Sequence, residues 1–282
     1  MVHLFRTSLG VMALAAAALA SGDAAAAANG PFLPHQALYD LSLVKSRSSS
    51  VSSARGRILY NFAGSSCEGY TSEFRQVSEL DSGEGKITLS DLRSNSWEDA
   101  AGKSYRFKIE TRMNDTDSSR VDGQAERDGD HINVKLKLPA PKSFTLDGAT
   151  VFPTEQIQRI IAAARDGKSL LELTVYDGSD NGEKVYNTMT VIGQPIPADR
   201  AVASPDPSIG DDHMKTLKRW PVTVSYFDRE AQQKEGEQTP VYAMSFELYE
   251  NGVSRALVLD YNDFVISGAL GKFDVRDAKP CN

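Results

Sequence analysis

The chain has 282 residues, 38 of them acidic and 31 basic, for a formal net charge of −7. This balance argues against a nucleic-acid binder, which carries a basic stripe, and against attraction to an anionic membrane surface. Its two cysteines supply too few ligands for a structural zinc site.

The start of the chain reads as an export signal. Arg6 precedes an apolar run over residues 9–20, broken only by Gly10, and alanine-rich residues 24–28 offer small-x-small cleavage sites. The run is shorter than the ~20 residues a bilayer requires, so it predicts a cleaved signal over residues 1–28 and not a membrane span. No cysteine stands near the cleavage region, which removes lipid attachment there. Residues 29–282 are expected to form a single domain in the periplasm, and about 250 residues suffice for a sizeable core. A monomer is the simplest expectation.

Residues 35–44 (HQALYDLSLV) alternate loosely and open a sheet. A serine-rich patch over residues 46–53 is either a loop or a polar strand end. Residues 57–63 and 70–80 read as strands around a turn holding Gly64, Ser65 and Ser66, and residues 86–97 and 105–113 as the next pair. Residues 120–127 and 131–138 form a hairpin pattern across Asp128, Gly129 and Asp130. In its second arm Ile132, Val134, Leu136 and Leu138 alternate with His131, Asn133, Lys135 and Lys137. One face is therefore buried and the other wet.

One long helix interrupts the strands, over residues 153–167 (PTEQIQRIIAAARDG). Thr154 is its expected cap, with Glu155 and Gln156 at the positive end of the dipole, Arg165 in the last turn and Gly167 as the stop. Ile157, Ile160, Ile161 and Ala164 fall at i, i+3, i+4 and i+7, and Ala162 and Ala163 widen that face. Beyond it, residues 170–176 and 185–192 flank a turn over residues 177–182, with Asn181 and Gly182 at its tip. Residues 194–213 are irregular and proline-rich, and residues 228–237 read as an exposed turn. Strands over residues 222–227, 242–249, 256–261 and 264–267 complete the pattern. The fold class is mainly β: a large antiparallel open barrel or spiral of about a dozen strands, with the apolar helix packed on its inner face.

Catalytic signatures are weak. No G-x-S-x-G elbow exists, and Glu98, Asp99 and Glu155 as paired carboxylates for glycoside chemistry are what any chain with 38 acids would offer. Asp177 to Gly182 resembles half of a calcium loop, but Thr188 stands where the bidentate glutamate belongs. Asp206, Asp211, Asp212 and His213 are four hard ligands in one loop without a visible rigid frame, so a solvated loop is the simpler reading. No catalytic residue, metal or cofactor is expected. Trp97, Tyr105, Phe107, Trp220, Tyr226 and Phe227 either line an apolar cavity or fill an ordinary strand core. For Cys67 and Cys281 a disulfide is the first reading in an oxidising compartment, and a reactive thiol at Cys67 the alternative.

The residues also suggest a family. The stretch ILYNFAGSSCEGYTSEFRQVSEL from Ile58 resembles the EipB envelope-integrity family of Gram-negative periplasmic proteins. So do Trp97-Glu98-Asp99 with Gly102-Lys103-Ser104-Tyr105, Phe152-Pro153-Thr154-Glu155 leading into the helix, Val175 to Asp180, and Ser225-Tyr226-Phe227. The resemblance runs from His35 to Cys281 and is weakest over residues 194–214. It implies a periplasmic open spiral-like β-barrel with a disulfide, here Cys67 to Cys281, a part in maintaining the envelope, and no catalytic residues to transfer.

The leading expectation is a non-enzymatic envelope protein with an apolar ligand or a periplasmic protein as its partner. Ile157, Ile160, Ile161, Ala164, Trp97, Phe107, Trp220 and Phe227 are the residues expected in the plug or groove. The alternative is an envelope hydrolase acting on lipid or glycan through an unrecognised acidic site.

Overall fold

The computed structural model describes residues 32–47, 51–83, 85–114, 117–200, 206–230 and 238–277; the expected signal segment and Cys281 lie outside them. Eight strands come first: β1 (His35–Ser46), β2 (Ser53–Ser65), β3 (Gly69–Asp81), β4 (Ile87–Glu98), β5 (Ser104–Met113), β6 (Asp117–Asp128), β7 (His131–Leu138) and β8 (Lys142–Asp147). The helix α1 (Pro153–Arg165) follows. Six strands then return: β9 (Leu170–Val175), β10 (Tyr186–Ile192), β11 (Arg219–Asp228), β12 (Tyr242–Tyr249), β13 (Ser254–Asp260) and β14 (Phe264–Val275).

All fourteen described strands form one antiparallel sheet in the order β8-β7-β6-β5-β4-β3-β2-β1-β14-β13-β12-β11-β10-β9. β1 pairs with both β2 and β14, so two meanders leave it in opposite directions. The two edges, β8 and β9, are consecutive in the chain and are joined through α1. Twist accumulates across so wide a sheet and curls it. The edges do not pair with each other, so the sheet stays open. The β9 edge is covered locally: the Val151 amide donates to the Thr174 carbonyl at 2.8 Å, and the Tyr176 amide to the Val151 carbonyl at 3.0 Å. This short parallel bridge satisfies backbone groups that a bare edge would present to another chain.

The strand pattern expected from sequence is present with local differences. β14 runs to Val275 and pairs along β1 as far as His35, well past the expected end at residue 267. Gly268 and Gly271 hide its alternation, and at Gly268 the Leu257 and Leu41 side chains leave little room for a Cβ. In β7, Ile132, Val134 and Leu136 are buried but Leu138 is exposed. A bulge in the β6–β7 pairing beside Gly123 puts Leu138 opposite Asp122, and one extra residue moves a side chain to the other face.

Two cores result. The main one gathers inner-face residues of β1, β2 and β10–β14 around Ile160, Ile161, Ala163 and Ala164 of the helix. The second lies in the β5–β7 wing, where Tyr105, Phe107, Val121, Ile132 and Val134 pack with Phe152 and Tyr176. Fully burying each isoleucine of α1 contributes about 1.5–3 kcal/mol, enough to hold a helix of 13 residues that would be marginal alone.

Candidate functional site: a cavity at the start of the helix

The first turn of α1 is built differently from the sequence expectation. Phe152 is the N-cap and offers no side-chain cap, and Pro153 occupies the first helical position, where its missing N–H costs nothing. Thr154 is not the cap; its backbone amide is itself capped. Glu98, the last residue of β4, accepts the Thr154 amide at 2.7 Å and the Glu155 amide at 2.8 Å. A carboxylate of the sheet thus does from a distance what a capping side chain does locally. Glu98 is only 3% exposed, and burial pushes its carboxyl up to about 7 although the amides of Thr154 and Glu155 pull it down.

Arg127 of β6 fixes the same turn from the other side. It donates to the Gly102 carbonyl at 2.9 Å, the Thr150 carbonyl at 3.0 Å and Glu155 at 3.0 Å, and also to Gly148. Glu155 in turn accepts from Arg159. The pair of carboxylates imagined for glycoside chemistry is therefore engaged: Glu98 by the helix, Glu155 by two arginines, and Asp99 by the amides of Ala101 and Lys103.

Beside this turn lies a cavity of about 440 Å³. β2 contributes Tyr60 and Phe62, and β3 and β4 contribute Phe74 and Leu92 with Ser72, Ser94 and Ser96. Tyr226, Tyr242 and Met244 of β11 and β12 stand on the opposite wall, and Pro153, Thr154, Gln156 and Ile157 of the helix close the remainder. His35 also lines it. Its Nδ1 lies 2.7 Å from the Leu33 carbonyl, and burial lowers its pKa, so the ring is neutral. No lysine or arginine is among the lining residues.

The connection between β9 and β10 reaches into this cavity, which the sequence reading did not foresee. Asp177 and Ser179 line it, and Gly178 lies against the Phe107 ring, where an added Cβ would come within 2.4 Å. Only a glycine with φ of +71° fits that approach. The Tyr105 hydroxyl donates to the Asp177 carbonyl at 3.0 Å, and the Tyr176 hydroxyl to the Gly182 carbonyl at 2.6 Å. Asp177 and Asn181 accept amides of Ser179 and Glu183 within the same loop, which accounts for its calcium-like spelling by turn chemistry.

The residues expected in a plug or groove separate into four groups. Ile160, Ile161 and Ala164 lie in the main core with Trp220, whereas Ile157, one turn earlier, lines the cavity. The helix is thus a plug over its C-terminal half and a wall over its first turns. Phe107 packs in the second core. Trp97 and Phe227 belong to neither. Trp97 donates its indole N–H to the Glu68 carbonyl and carries Arg106 over its ring, on the side of β4 opposite to Leu92, Ser94 and Ser96. Phe227 lines a depression of about 520 Å³ formed with Glu172, Asn187 and Met189 on the outer faces of β9–β11. That depression is larger than the inner cavity, but it lies on outer strand faces beside Gln238 and no helix residue lines it. The inner cavity is the better candidate site.

One loop also differs from expectation. Asp206 is not a solvated ligand: its carboxylate accepts from Arg255 at 2.8 Å, with side chains 5% and 3% exposed. Arg255 also binds Glu247 at 2.6 Å, and Glu247 binds the buried Arg219 at 2.9 Å. Asp211 and Asp212 pair instead with His213 and Lys215, and no metal-holding group of side chains occurs among the described residues. Cys67 sits in the turn between β2 and β3 and is not a free thiol; its expected partner Cys281 is outside the described residues.

Sequence alone did not bring Glu98, Gln156, Asp177 and the serines of β3 and β4 together at this cavity: a polar residue on a strand normally marks the wet face, and neither the helix turn nor the β9–β10 loop signals what it packs against. A single periodic signal existed: Ser94 and Ser96 share the parity of Leu92 and of Glu98 in β4.

An open antiparallel sheet curled around one helix, with an aromatic- and serine-lined cavity at the helix start, defines a β-barrel-like protein with an interior cavity. Residues 26–277 match the EipB-like family model, and the chain belongs to that family. It is 34% identical over 264 residues to the cell envelope integrity protein EipB of Brucella abortus (strain 2308), spanning 91% of this chain and 89% of that protein. It also resembles the crystal structure of a beta-barrel-like protein of the domain of unknown function DUF1849 from Brucella abortus. The TM-score is 0.77 at 33% identity, covering 87% of this chain and 99% of that one.

Proposed function

We propose that this protein supports cell-envelope integrity from the periplasm, without catalysis, by holding the apolar chain of an amphiphile in the cavity at the start of α1. The observation that carries the reading is the cavity itself, bounded by Phe62, Phe74, Leu92, Met244 and Ile157 inside a protein whose relative is named for envelope integrity. Apolar walls with a few placed polar groups are the usual make-up of small-molecule sites. The engagement of Glu98, Asp99 and Glu155 in structural hydrogen bonds supports the non-enzymatic reading. A link between Cys67 and Cys281, tying the β2–β3 turn to the C-terminal tail, belongs to the same proposal and suits an oxidising compartment.

Titration of the delipidated protein with a fluorescent long-chain acyl probe tests it. Saturable binding at one site is expected, and Ile157→Arg, which places a charge in the wall, abolishes it while the unfolding midpoint stays within a few degrees. Absence of saturable binding by the native chain overturns the proposal.

A further inference from the structure

We propose that the cavity selects ligands carrying an ammonium group, held between the Asp177 carboxylate and the stacked rings of Tyr226 and Tyr242. The proposal rests on the apolar-chain reading above and names the head that such a chain bears. Among the described residues lining the cavity Asp177 is the only acidic one, and no lysine or arginine is among them. Among the described residues no cation pairs with Asp177, whose carboxylate oxygen Oδ1 accepts the Ser179 amide at 2.9 Å; burial raises its pKa, while hydrogen bonds from Ser179 and its own amide lower it, and a bound cation would favour the charged form. A cavity with one carboxylate and no internal counter-ion is complementary to a positive ligand and rejects phosphate or carboxylate heads.

The cavity walls that share this carboxylate are aromatic. Tyr226 and Tyr242 stack with centroids 4.4 Å apart and planes at 11°, and Tyr186 meets Tyr226 edge-on at 6.0 Å. The Ser179 hydroxyl lies 3.3 Å from the Tyr186 hydroxyl, which ties the Asp177 loop to this ring cluster. Burial raises the phenol pKa values of Tyr226 and Tyr242, and the nearby Asp177 charge raises them further, so the rings stay neutral and electron-rich. Neutral tyrosine faces attract ammonium groups by their quadrupoles, most strongly where water is excluded.

A second, independent feature lies at the same end. Gln156 is 5% exposed, its Oε1 accepts from the Tyr226 hydroxyl at 3.4 Å, and its Nε2 has no partner among the described residues. A buried amide donor left unpaired is costly, and an acceptor oxygen on the ligand would recover that cost. The ligand class is thus an amphiphile with an apolar chain, a neutral acceptor oxygen and an ammonium head.

Calorimetric titration of the full chain with dodecyltrimethylammonium, dodecyl maltoside and dodecanoate, each below its micelle concentration and at high salt, tests this; salt screens the surface charge. The cationic probe is expected to bind at least tenfold more tightly than the neutral one, and dodecanoate more weakly than either. Asp177→Asn should bring the cationic probe to the affinity of the neutral one, and Tyr242→Leu should weaken the cationic probe selectively. If Asp177→Asn fails to fold, Tyr242→Leu alone decides. Equal binding of all three probes, or a preference that survives both variants, overturns this inference and leaves the apolar-chain reading standing. Failure of every probe to bind overturns both.

Discussion

Glu98 and Thr154 are 56 residues apart in the chain, yet the carboxylate of one receives the backbone amide of the other at 2.7 Å, with the Glu155 amide at 2.8 Å beside it. This contact fixes where the helix starts relative to β4, and so sets the wall of the cavity. Glu98→Ala leaves two helix amides without an acceptor and should cost about 1–3 kcal/mol. Glu98→Gln keeps one acceptor oxygen and should cost less. Urea unfolding of the two variants checks the order, and a native-like stability for Glu98→Ala would show that water replaces the cap.

The same carboxyl predicts a pH dependence. Burial lifts its pKa from 4.5 to about 7, so the folded protein holds this proton more firmly than the unfolded chain. The contribution to stability is full below 4.5 and is lost as pH rises through 7, a change of roughly 3 kcal/mol. His35 acts in the opposite sense: its lowered pKa contributes stability above 6.5 that is lost as pH falls. The difference between the native chain and Glu98→Gln cancels His35 and isolates Glu98. That difference should move in favour of Glu98→Gln between pH 4.5 and 8, and a constant gap would contradict the assignment.

Asp206 and Arg255 form the most buried ion pair among the described residues. Breaking such a pair leaves a charge without a partner in a dry site, so Asp206→Ala should destabilise by about 3–5 kcal/mol. Limited proteolysis should then cut within residues 194–213 before the sheet unfolds. Loss below 1 kcal/mol would mean that Glu247 suffices for Arg255.

Gly178→Ala forces a Cβ to within 2.4 Å of the Phe107 ring at a φ of +71°. The expected cost is about 1–3 kcal/mol, with weaker binding of any cavity ligand because Asp177 and Ser179 move with the loop. Scanning calorimetry and acyl-probe titration read the two effects separately.

Cys67→Ser tests the proposed link to Cys281. Closing a loop of that length stabilises by roughly 5 kcal/mol, less any native strain. The variant should melt at the temperature of the reduced native chain and show no further response to reductant. An unchanged melting temperature would refute the link.

The sequence by itself determined the strands and the helix, because those depend on local period: two residues in β7 and 3.6 in α1 both survive translation into burial. It also carried the family, through contiguous stretches such as the one around Cys67. The tertiary structure alone decided the site. Glu98 caps a helix it does not belong to, Asp177 turns inward in a loop spelled like an exposed turn, and Trp97 and Phe227 face outward despite their size. Each outcome depends on which strands meet once the sheet curls, and that is settled by register and twist across the whole sheet, which no local window contains.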